Sequence, residues 1–334
     1  MEQEAKRHHY IPQFILRNFN NENDQVLYWN ISAQKLEKRN ARSVFMNLHM
    51  YRDEINHSDA PTTIESHLST FEREISELIR AKIQEEREIV LTRAELESLR
   101  IFLTLMSYRS NHRMEQYRDK KFFNQDEQLL KPFTKEGNFI DLWKREIDAI
   151  AQCRSFKEIE QNETITPTIK LEFLNELKGY YMSIADARGG DFLVSDVYPT
   201  LEIYPIEQNT SIHLHSLFPI SPTRILLLNH IMFKNPLSSP FQHMINLSQI
   251  KGSIIPTPKN KYTCPPQTMM SDLYIYKPVK MYEKDIVYIN SLILNEARVG
   301  IVFRDSSRIR NTIQSYNTLS ETKNSYQALL KQMD

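Results

Sequence analysis

The sequence predicts an α+β fold in which N-terminal short strands and a helical bundle pack on a mainly antiparallel sheet. Apolar residues recur every three or four positions between residues 61 and 180, which is typical of amphipathic helices. Residues 181–280 instead carry short apolar runs separated by glycine and proline, which favours strands. A strand-and-turn segment is predicted over residues 1–60, and helices over residues 281–334.

Two helix starts in the helical region have the capping-box spacing, a threonine followed three residues later by a glutamate. Thr62 and Glu65 begin the first helix, and Thr92 and Glu95 begin the second. The apolar stripes that follow are Ile64, Leu68, Phe71, Ile75, Leu78 and Ile79 in the first helix, and Leu99, Phe102, Leu103 and Met106 in the second. Further helices are predicted at residues 140–153, 170–181, 283–299 and 319–333.

Strands are predicted where β-branched and aromatic residues lie between turn residues. The turn that contains Gly189 and Gly190 predicts a hairpin between the strands on either side of it. The predicted strands cover residues 25–30, 181–185, 191–195, 201–204 and 224–228.

The composition excludes several classes of protein. With only 6 glycines, the chain has no glycine-rich dinucleotide or P-loop motif and no Gly-x-Ser-x-Gly elbow, so a bound phosphate must be held mainly by side chains. The 42 basic residues are balanced by 42 acidic ones, which disfavours a uniformly basic surface but allows a local basic groove. No apolar run is long enough for a transmembrane helix, and the first residues lack a signal-peptide core. The solitary Cys153 and Cys264 indicate a reducing compartment, so we expect a cytoplasmic protein without membrane contact.

The densest polar cluster lies in residues 6–13, where His8 and His9 precede Pro12. A histidine there could be a metal ligand or a general base near neutral pH. In an extended segment the two rings would point to opposite faces, so one at most faces a given pocket. The structural alternative is a segment whose histidines only satisfy backbone groups.

Arg109 ends the apolar stripe of the second predicted helix, with His112 one turn beyond. A guanidinium on a core-facing stripe needs a carboxylate or a phosphate partner. Glu65 and Glu72 are candidate partners because they lie close in azimuth on the first helix. The alternatives are a buried pair that ties two helices together and an anion clamp on a phosphate.

Two further candidates lie in the β-rich region. Ser195 and Asp196 end a predicted strand, where an acid marks either a site or a turn. His213 and His215 alternate on a probable strand and form a weak metal half-site without a nearby acid.

The opening residues His8 to Phe19 resemble the signature of a bacterial family known as domain of unknown function 4238. The similarity continues through Tyr51, the glutamates of the first helix and Arg109 to a strand that ends at Asp196. The sequence departs from the family pattern after Asp196, where an asparagine is replaced and the proline is displaced by one residue. Because the resemblance covers most of the chain, it implies one integrated unit over residues 1–334. It also implies that His8, His9, Glu65, Arg109 and Asp196 converge on one cleft.

These residue types favour an effector that cleaves a phosphodiester or a nucleotide, in the manner of a nuclease. In this hypothesis His8 or His9 acts as general base or metal ligand, and Glu65 and Asp196 hold Mg²⁺ or Mn²⁺ or orient water. Arg109 would stabilise phosphate charge. The metal-ligand candidates are His9, Glu65 and Asp196. The bacterial distribution of the family suggests anti-phage defence or toxin action.

Two alternatives stay open. In the first, the same cleft belongs to a non-catalytic sensor that recognises nucleic acid or protein, and the chain has a protein partner or forms a homo-oligomer. In the second, the opening segment is a structural plug that staples the helices to the sheet.

Overall fold

The computed structural model describes residues 7–122, 126–198, 200–203, 212–230, 269–319 and 324–333. Within these ranges the chain contains α-helices and antiparallel sheets, which confirms the α+β class. The helices are α1 Gln13–Arg17, α2 Thr63–Lys82, α3 Arg93–Tyr108, α4 Asn111–Asp119, α5 Asp126–Leu130, α6 Phe139–Ala151, α7 Phe156–Gln161, α8 Pro167–Lys178, α9 Glu283–Glu296, α10 Ser306–Asn317 and α11 Gln327–Gln332.

The strands of the described residues form four separate sheets. They are β1 Arg7–His9, β2 Val26–Asn30, β3 Lys35–Arg39, β4 Met46–Leu48, β5 Ile89–Thr92, β6 Tyr180–Ala187, β7 Val194–Ser195, β8 Thr200–Ile203, β9 Ile212–Ser221, β10 Arg224–His230, β11 Leu273–Tyr276, β12 Val279–Met281 and β13 Gly300–Phe303. The largest sheet has the order β12-β6-β10-β9-β8, and a second has the order β3-β2-β13-β7. Strand β1 pairs with β4, and β5 pairs with β11. Every pairing is antiparallel except β12 with β6.

Helices α2 and α3 form where the apolar stripes predict them. The buried positions of α2 recur at three and four residues, and its opposite face carries charged side chains. Helix α3 begins at the predicted capping box, in which the Thr92 side chain accepts from the Glu95 N–H and Glu95 accepts from the Thr92 N–H. It is buried on most of its surface, because α2, α6 and α8 pack around it.

The core consists of two apolar clusters on opposite faces of the sheets. The first joins the N-terminal segment to α2, α3, α6 and α8. The second cluster joins α9, α10 and α11 to the opposite face of the sheets. In β10, Leu226 and Leu228 face the first cluster, whereas Ile225 and Leu227 face the second. Both faces of this strand are therefore covered.

No helix in the described part of the chain is both long enough and apolar enough to cross a membrane.

The capping box predicted at Thr62 and Glu65 does not form. Thr62 is the N-cap of α2, but its side chain makes no capping hydrogen bond. The charges that act on the Glu65 carboxyl are those of Glu72 and Arg109, in the interior beside the helix. Glu65, which would close the box, therefore interacts with Glu72 and Arg109 instead of with the start of the helix.

The hairpin predicted at Gly189 and Gly190 is also wrong. Strand β6 pairs with β10 and β12, whereas β7 pairs with β13 in a different sheet. The segment between them is held by Asn290 of α9, which accepts from the Leu193 N–H at 3.1 Å and donates to the Asp191 carbonyl at 2.9 Å. These side-chain bonds replace the strand pairing that a hairpin would supply.

The C-terminal region differs in its boundaries. Helix α9 ends at Glu296, before the predicted end at residue 299, and α10 lies between the two helices predicted for this region. The terminal helix is only Gln327–Gln332. The other predicted helices and strands within the described residues are confirmed with shifts at their ends.

Candidate functional site

Helix α3 delivers Arg109 into the core. Arg109 is the C-cap residue of the helix, and its N–H donates to the Leu105 carbonyl at 2.8 Å. It follows Phe102 and Met106 at helical spacing, so its side chain continues the buried stripe. Only 1% of that side chain is exposed. The prediction that a guanidinium ends the apolar face is confirmed.

One nitrogen of the Arg109 guanidinium has hydrogen-bond partners and the other two do not. Nη2 donates to Glu72 Oε1 at 2.5 Å and to the His9 carbonyl at 3.2 Å. Nε and Nη1 are buried and have no hydrogen-bond partner within the described residues. An unpaired buried donor costs about 1–3 kcal/mol, and more when the group is charged. The guanidinium therefore has two N–H donors, on different sides of the group, that could donate to ligand oxygens.

Glu65 lies on the same face of α2 as Glu72, seven residues earlier. Burial raises the pKa of its carboxyl to about 7, with a further increase from the charge of Glu72 and a decrease from that of Arg109. Its carboxyl accepts no hydrogen bond from the residues that the structure describes. Glu65 can therefore gain and lose a proton near neutral pH.

Two tyrosines complete the group. The Tyr51 hydroxyl donates to the Arg109 carbonyl at 2.9 Å, and its ring is fully buried. The Tyr198 hydroxyl is buried without a hydrogen-bond partner in the described part of the chain, and the charges of Arg109 and Glu72 act on it. Burial raises the pKa of both hydroxyls, so both stay protonated. We call Tyr51, Glu65, Glu72, Arg109 and Tyr198 the Arg109 cluster.

His8 supports this cluster from behind. It is fully buried, and its Nδ1 accepts from the Tyr51 N–H at 2.8 Å. The two rings are stacked, with centroids 5.6 Å apart and planes 6° from parallel. His8 therefore fixes the position of Tyr51, which in turn holds the end of α3.

His9 is held in one neutral form. Its Nε2 lies 3.2 Å from the Arg42 carbonyl oxygen, and its Nδ1 lies 3.2 Å from the Gln13 amide nitrogen. Because the carbonyl can only accept and the amide NH₂ can only donate, Nε2 carries the proton. Burial lowers the pKa of the ring to about 4. Both ring nitrogens are thus occupied, and His9 contributes to the Arg109 cluster through its main-chain carbonyl.

Asp196 anchors the start of β13 and does not join the cluster. Its Oδ1 accepts from the N–H groups of Arg298 and Val299 at 3.0 Å and of Gly300 at 3.3 Å. Burial raises the pKa of this carboxyl, and the three bonds oppose that shift only in part. No hydrogen bond or ion pair among the described residues joins Asp196 to Glu65 or Arg109. Asp196 orders the loop between α9 and β13.

The predicted metal-ligand set His9, Glu65 and Asp196 does not assemble. The described residues contain no group of three or more His, Cys, Asp or Glu side chains placed to hold a metal ion. Both nitrogens of His9 are used within the fold, and one oxygen of Asp196 accepts three backbone bonds. In this arrangement these three side chains therefore do not form a binding site for a divalent cation.

The remaining candidates lie elsewhere. His112 lies on α4 and does not belong to the Arg109 cluster. Its Nδ1 is 2.8 Å from Arg298 Nη1. His215 is buried with its Nδ1 2.9 Å from Asn229 Oδ1. The side chain of His213 and the whole of Cys264 lie outside the described residues. Cys153 is a buried free thiol.

Sequence reasoning found Glu72 as a partner of Arg109, and the structure confirms that pair. It missed Tyr198. No local signal marked it, since its neighbour Asp196, which the sequence singled out, binds the backbone before β13 and lies outside the cluster.

The protonation of Glu65 gives a stability test that does not depend on function. A folded-state pKa of about 7, against 4.5 for an ordinary glutamate, means that stability from this group is present at low pH and is lost as pH rises to about 7. Replacing Glu65 with glutamine should therefore make the protein more stable than the wild type at pH 8 and not at pH 5, by on the order of 2–3 kcal/mol. Urea unfolding at several pH values measures this difference. An unchanged difference between pH 5 and pH 8 would contradict the raised pKa.

Fold and site together define an α+β protein with a buried arginine shared by a carboxylate and a main-chain carbonyl, beside a protonatable glutamate. A family described as "Protein of unknown function (DUF4238)" matches residues 7–307, and the chain belongs to that family. This match confirms the family that the opening residues indicated. Comparison with curated proteins and comparison with solved structures gave no match.

Proposed function

We propose that the chain binds a phosphate-bearing ligand at the Arg109 cluster and hydrolyses a phosphodiester or a nucleotide there. The observation that carries this proposal is the pair of buried Arg109 donors, Nε and Nη1, that have no partner in the described residues. A phosphate oxygen would satisfy one of these donors through a charge-assisted bond, and the other, which points to a different edge of the guanidinium plane, would need a second acceptor oxygen. The Tyr198 hydroxyl supplies a third donor.

Glu65 is the proposed proton donor. Its pKa of about 7 already lies near neutrality, and a bound phosphate anion would raise it further by repulsion. In the hydrolysis, a water oxygen forms a bond to phosphorus as the bond to the leaving oxygen breaks. The Glu65 proton passes to the leaving oxygen, and the attacking water releases a proton to solvent. Arg109 stabilises the charge that develops on the phosphate oxygens.

This assignment changes the roles that the sequence suggested. The histidines would position Tyr51 and Arg109 rather than transfer protons, because both of their rings are buried and bonded within the fold. Asp196 would hold the loop before β13. An effector of anti-phage defence or a toxin would suit this chemistry, and expression of the chain in a bacterial host tests that context through its effect on growth.

The test of the proposed reaction uses purified protein with DNA, RNA and free nucleotides, with Mg²⁺ or Mn²⁺ and with a chelator. Glu65→Gln should lower the rate of cleavage by about 10²–10⁴-fold, the usual contribution of a positioned general acid. Glu77→Gln is the matched control because Glu77 is exposed on the same helix. At low substrate concentration the rate should fall as pH rises above 7, where Glu65 of the free protein loses its proton. Absence of cleavage under all conditions, or full activity of Glu65→Gln, would rule out this reaction.

A second candidate is a non-catalytic module that senses a phosphate-bearing nucleic acid or protein. The observation in its favour is that His8, His9 and Asp196 are all bonded within the fold. In this case Arg109-dependent binding would be measured by calorimetry without any turnover.

A further inference from the structure

A cavity of about 170 Å³ lies on the far side of α3 from the Arg109 cluster. Its walls come from α3, from the start of α7, from the end of α8, from β6 and from β11. Arg100 and Arg109 are nine residues apart on α3, which places their side chains on opposite faces and ~13 Å apart along the axis. The cavity is therefore separate from the proposed catalytic site.

The charged residues of the lining are mainly cationic. Arg93, Arg100 and Lys178 line the cavity, with Glu97 as the one acid among the lining residues. Arg100 is 7% exposed and donates from Nη2 to the Tyr180 carbonyl at 2.8 Å. Arg93 faces Glu97 at 3.8 Å and Asp272 at 3.5 Å through its terminal nitrogens.

Arg93 has one donor left over. Its Nε is buried and makes no hydrogen bond within the described ranges. A buried guanidinium N–H without a partner is costly, so an anionic oxygen in the cavity would stabilise it.

The rest of the lining is made of four aromatic rings together with Leu96, Leu177 and Met182. Tyr274 lies under the Arg93 guanidinium with its ring centroid 5.4 Å away, and Phe156 lies under Arg100 at the same distance of 5.4 Å. Tyr180 and Tyr276 add two more buried rings. Such walls favour a flat ring that can stack or meet them edge to face.

The volume limits the ligand. A cavity of ~150 Å³ accepts benzene, so about 170 Å³ accepts one six-membered ring with a small charged substituent. We propose that this cavity binds a small aromatic carboxylate, with the carboxylate on the arginines and the ring between the tyrosines and Phe156. Inorganic phosphate would meet the arginines but has no ring to stack against the aromatic walls.

Calorimetric titration of the full chain with benzoate, benzyl alcohol and inorganic phosphate tests the proposal. Benzoate should bind with a Kd of about 1 mM or tighter, a modest value for a ligand of this size. Benzyl alcohol lacks the charge and phosphate lacks the ring, so each should bind at this cavity at least ~10-fold more weakly. Equal binding of benzoate and benzyl alcohol, or no binding of benzoate, would overturn the proposal.

Variants assign the binding to this cavity. Arg93→Gln should weaken benzoate binding by about 10-fold or more, the effect of a lost charge-assisted bond. Lys178→Gln changes a side chain that is 55% exposed, so this variant should fold even if Arg93→Gln does not. It should weaken benzoate binding about threefold. Lys170→Gln, on the same helix but away from the cavity, should bind benzoate like the wild type. Unchanged binding in both Arg93→Gln and Lys178→Gln would place the ligand elsewhere.

Discussion

Replacing Arg109 with lysine is expected to weaken phosphate binding by at least ~10-fold while the chain stays folded. Lysine keeps the positive charge beside Glu72, so the ion pair with Glu72 is retained in part. Lysine lacks the planar guanidinium, and with it Nε and Nη1, the donors proposed to bind phosphate. Charge-assisted bonds of this kind contribute about 1.5–3 kcal/mol each, which is roughly a 10-fold to 150-fold change in Kd.

The measurement is calorimetric titration with inorganic phosphate, together with urea unfolding of the same samples. Arg80→Lys is the matched control, since Arg80 is exposed in the last turn of α2. Arg109→Leu should behave differently, because it leaves Glu72 and the His9 carbonyl without their donor. That variant should lose about 3 kcal/mol of stability, at the lower end for a broken buried pair because Glu72 is partly exposed. Wild-type phosphate affinity in Arg109→Lys would remove the basis of the proposed function.

Replacing Glu146 with alanine is expected to lower the free energy of unfolding by about 3–5 kcal/mol, a large fraction of the stability of a typical domain. Glu146 is completely buried in α6. It accepts from the Tyr108 hydroxyl at 2.6 Å, from the Thr166 N–H at 3.0 Å and from the Thr166 hydroxyl at 2.6 Å. Alanine would leave both Thr166 donors without this acceptor, leave the Tyr108 hydroxyl with only the Tyr117 hydroxyl, and open a cavity between α3, α6 and α8.

Glu146→Gln separates the lost acceptor from the lost volume. Burial raises the pKa of Glu146, so a neutral side chain of the same shape fits the site better than alanine does. We expect this variant to lose only about 1–2 kcal/mol, since one amide oxygen still accepts. Glu163→Ala, an exposed substitution in the loop before α8, should be neutral in the same urea titration. A loss below about 1 kcal/mol in Glu146→Ala would show that the three bonds contribute little.

The Arg109 prediction tests both readings of the cluster. Hydrolysis requires Glu65 to transfer a proton, whereas a sensor requires only that Arg109 bind phosphate. The Glu65→Gln variant therefore separates the two, because a sensor should bind phosphate at least as well without that carboxylate charge. Loss of turnover with retained binding would support the enzyme.

The sequence predicted the helical part of the site well. Helical periodicity is a local property, so the stripe from Leu99 to Met106 placed Arg109 on a buried face before any contact was known. The same spacing put Glu65 and Glu72 on one face of α2, as candidates for the carboxylate or phosphate partner that a buried guanidinium needs. The family was likewise visible in the opening residues. That residues 1–334 form a single unit stays a prediction.

Only the tertiary structure decided the roles of the other polar residues. His9 and Asp196 have the residue types of a catalytic site, yet their bonds go to Arg42, Gln13 and the backbone before β13. The hairpin at Gly189 failed for the same kind of reason, since Asn290 holds the following segment from far along the chain. Composition and periodicity fix which face of an element is buried, because that depends on neighbours three or four residues away. Whether a buried polar group is bonded within the fold or left to a ligand depends on residues from distant segments, and only their packing brings them together.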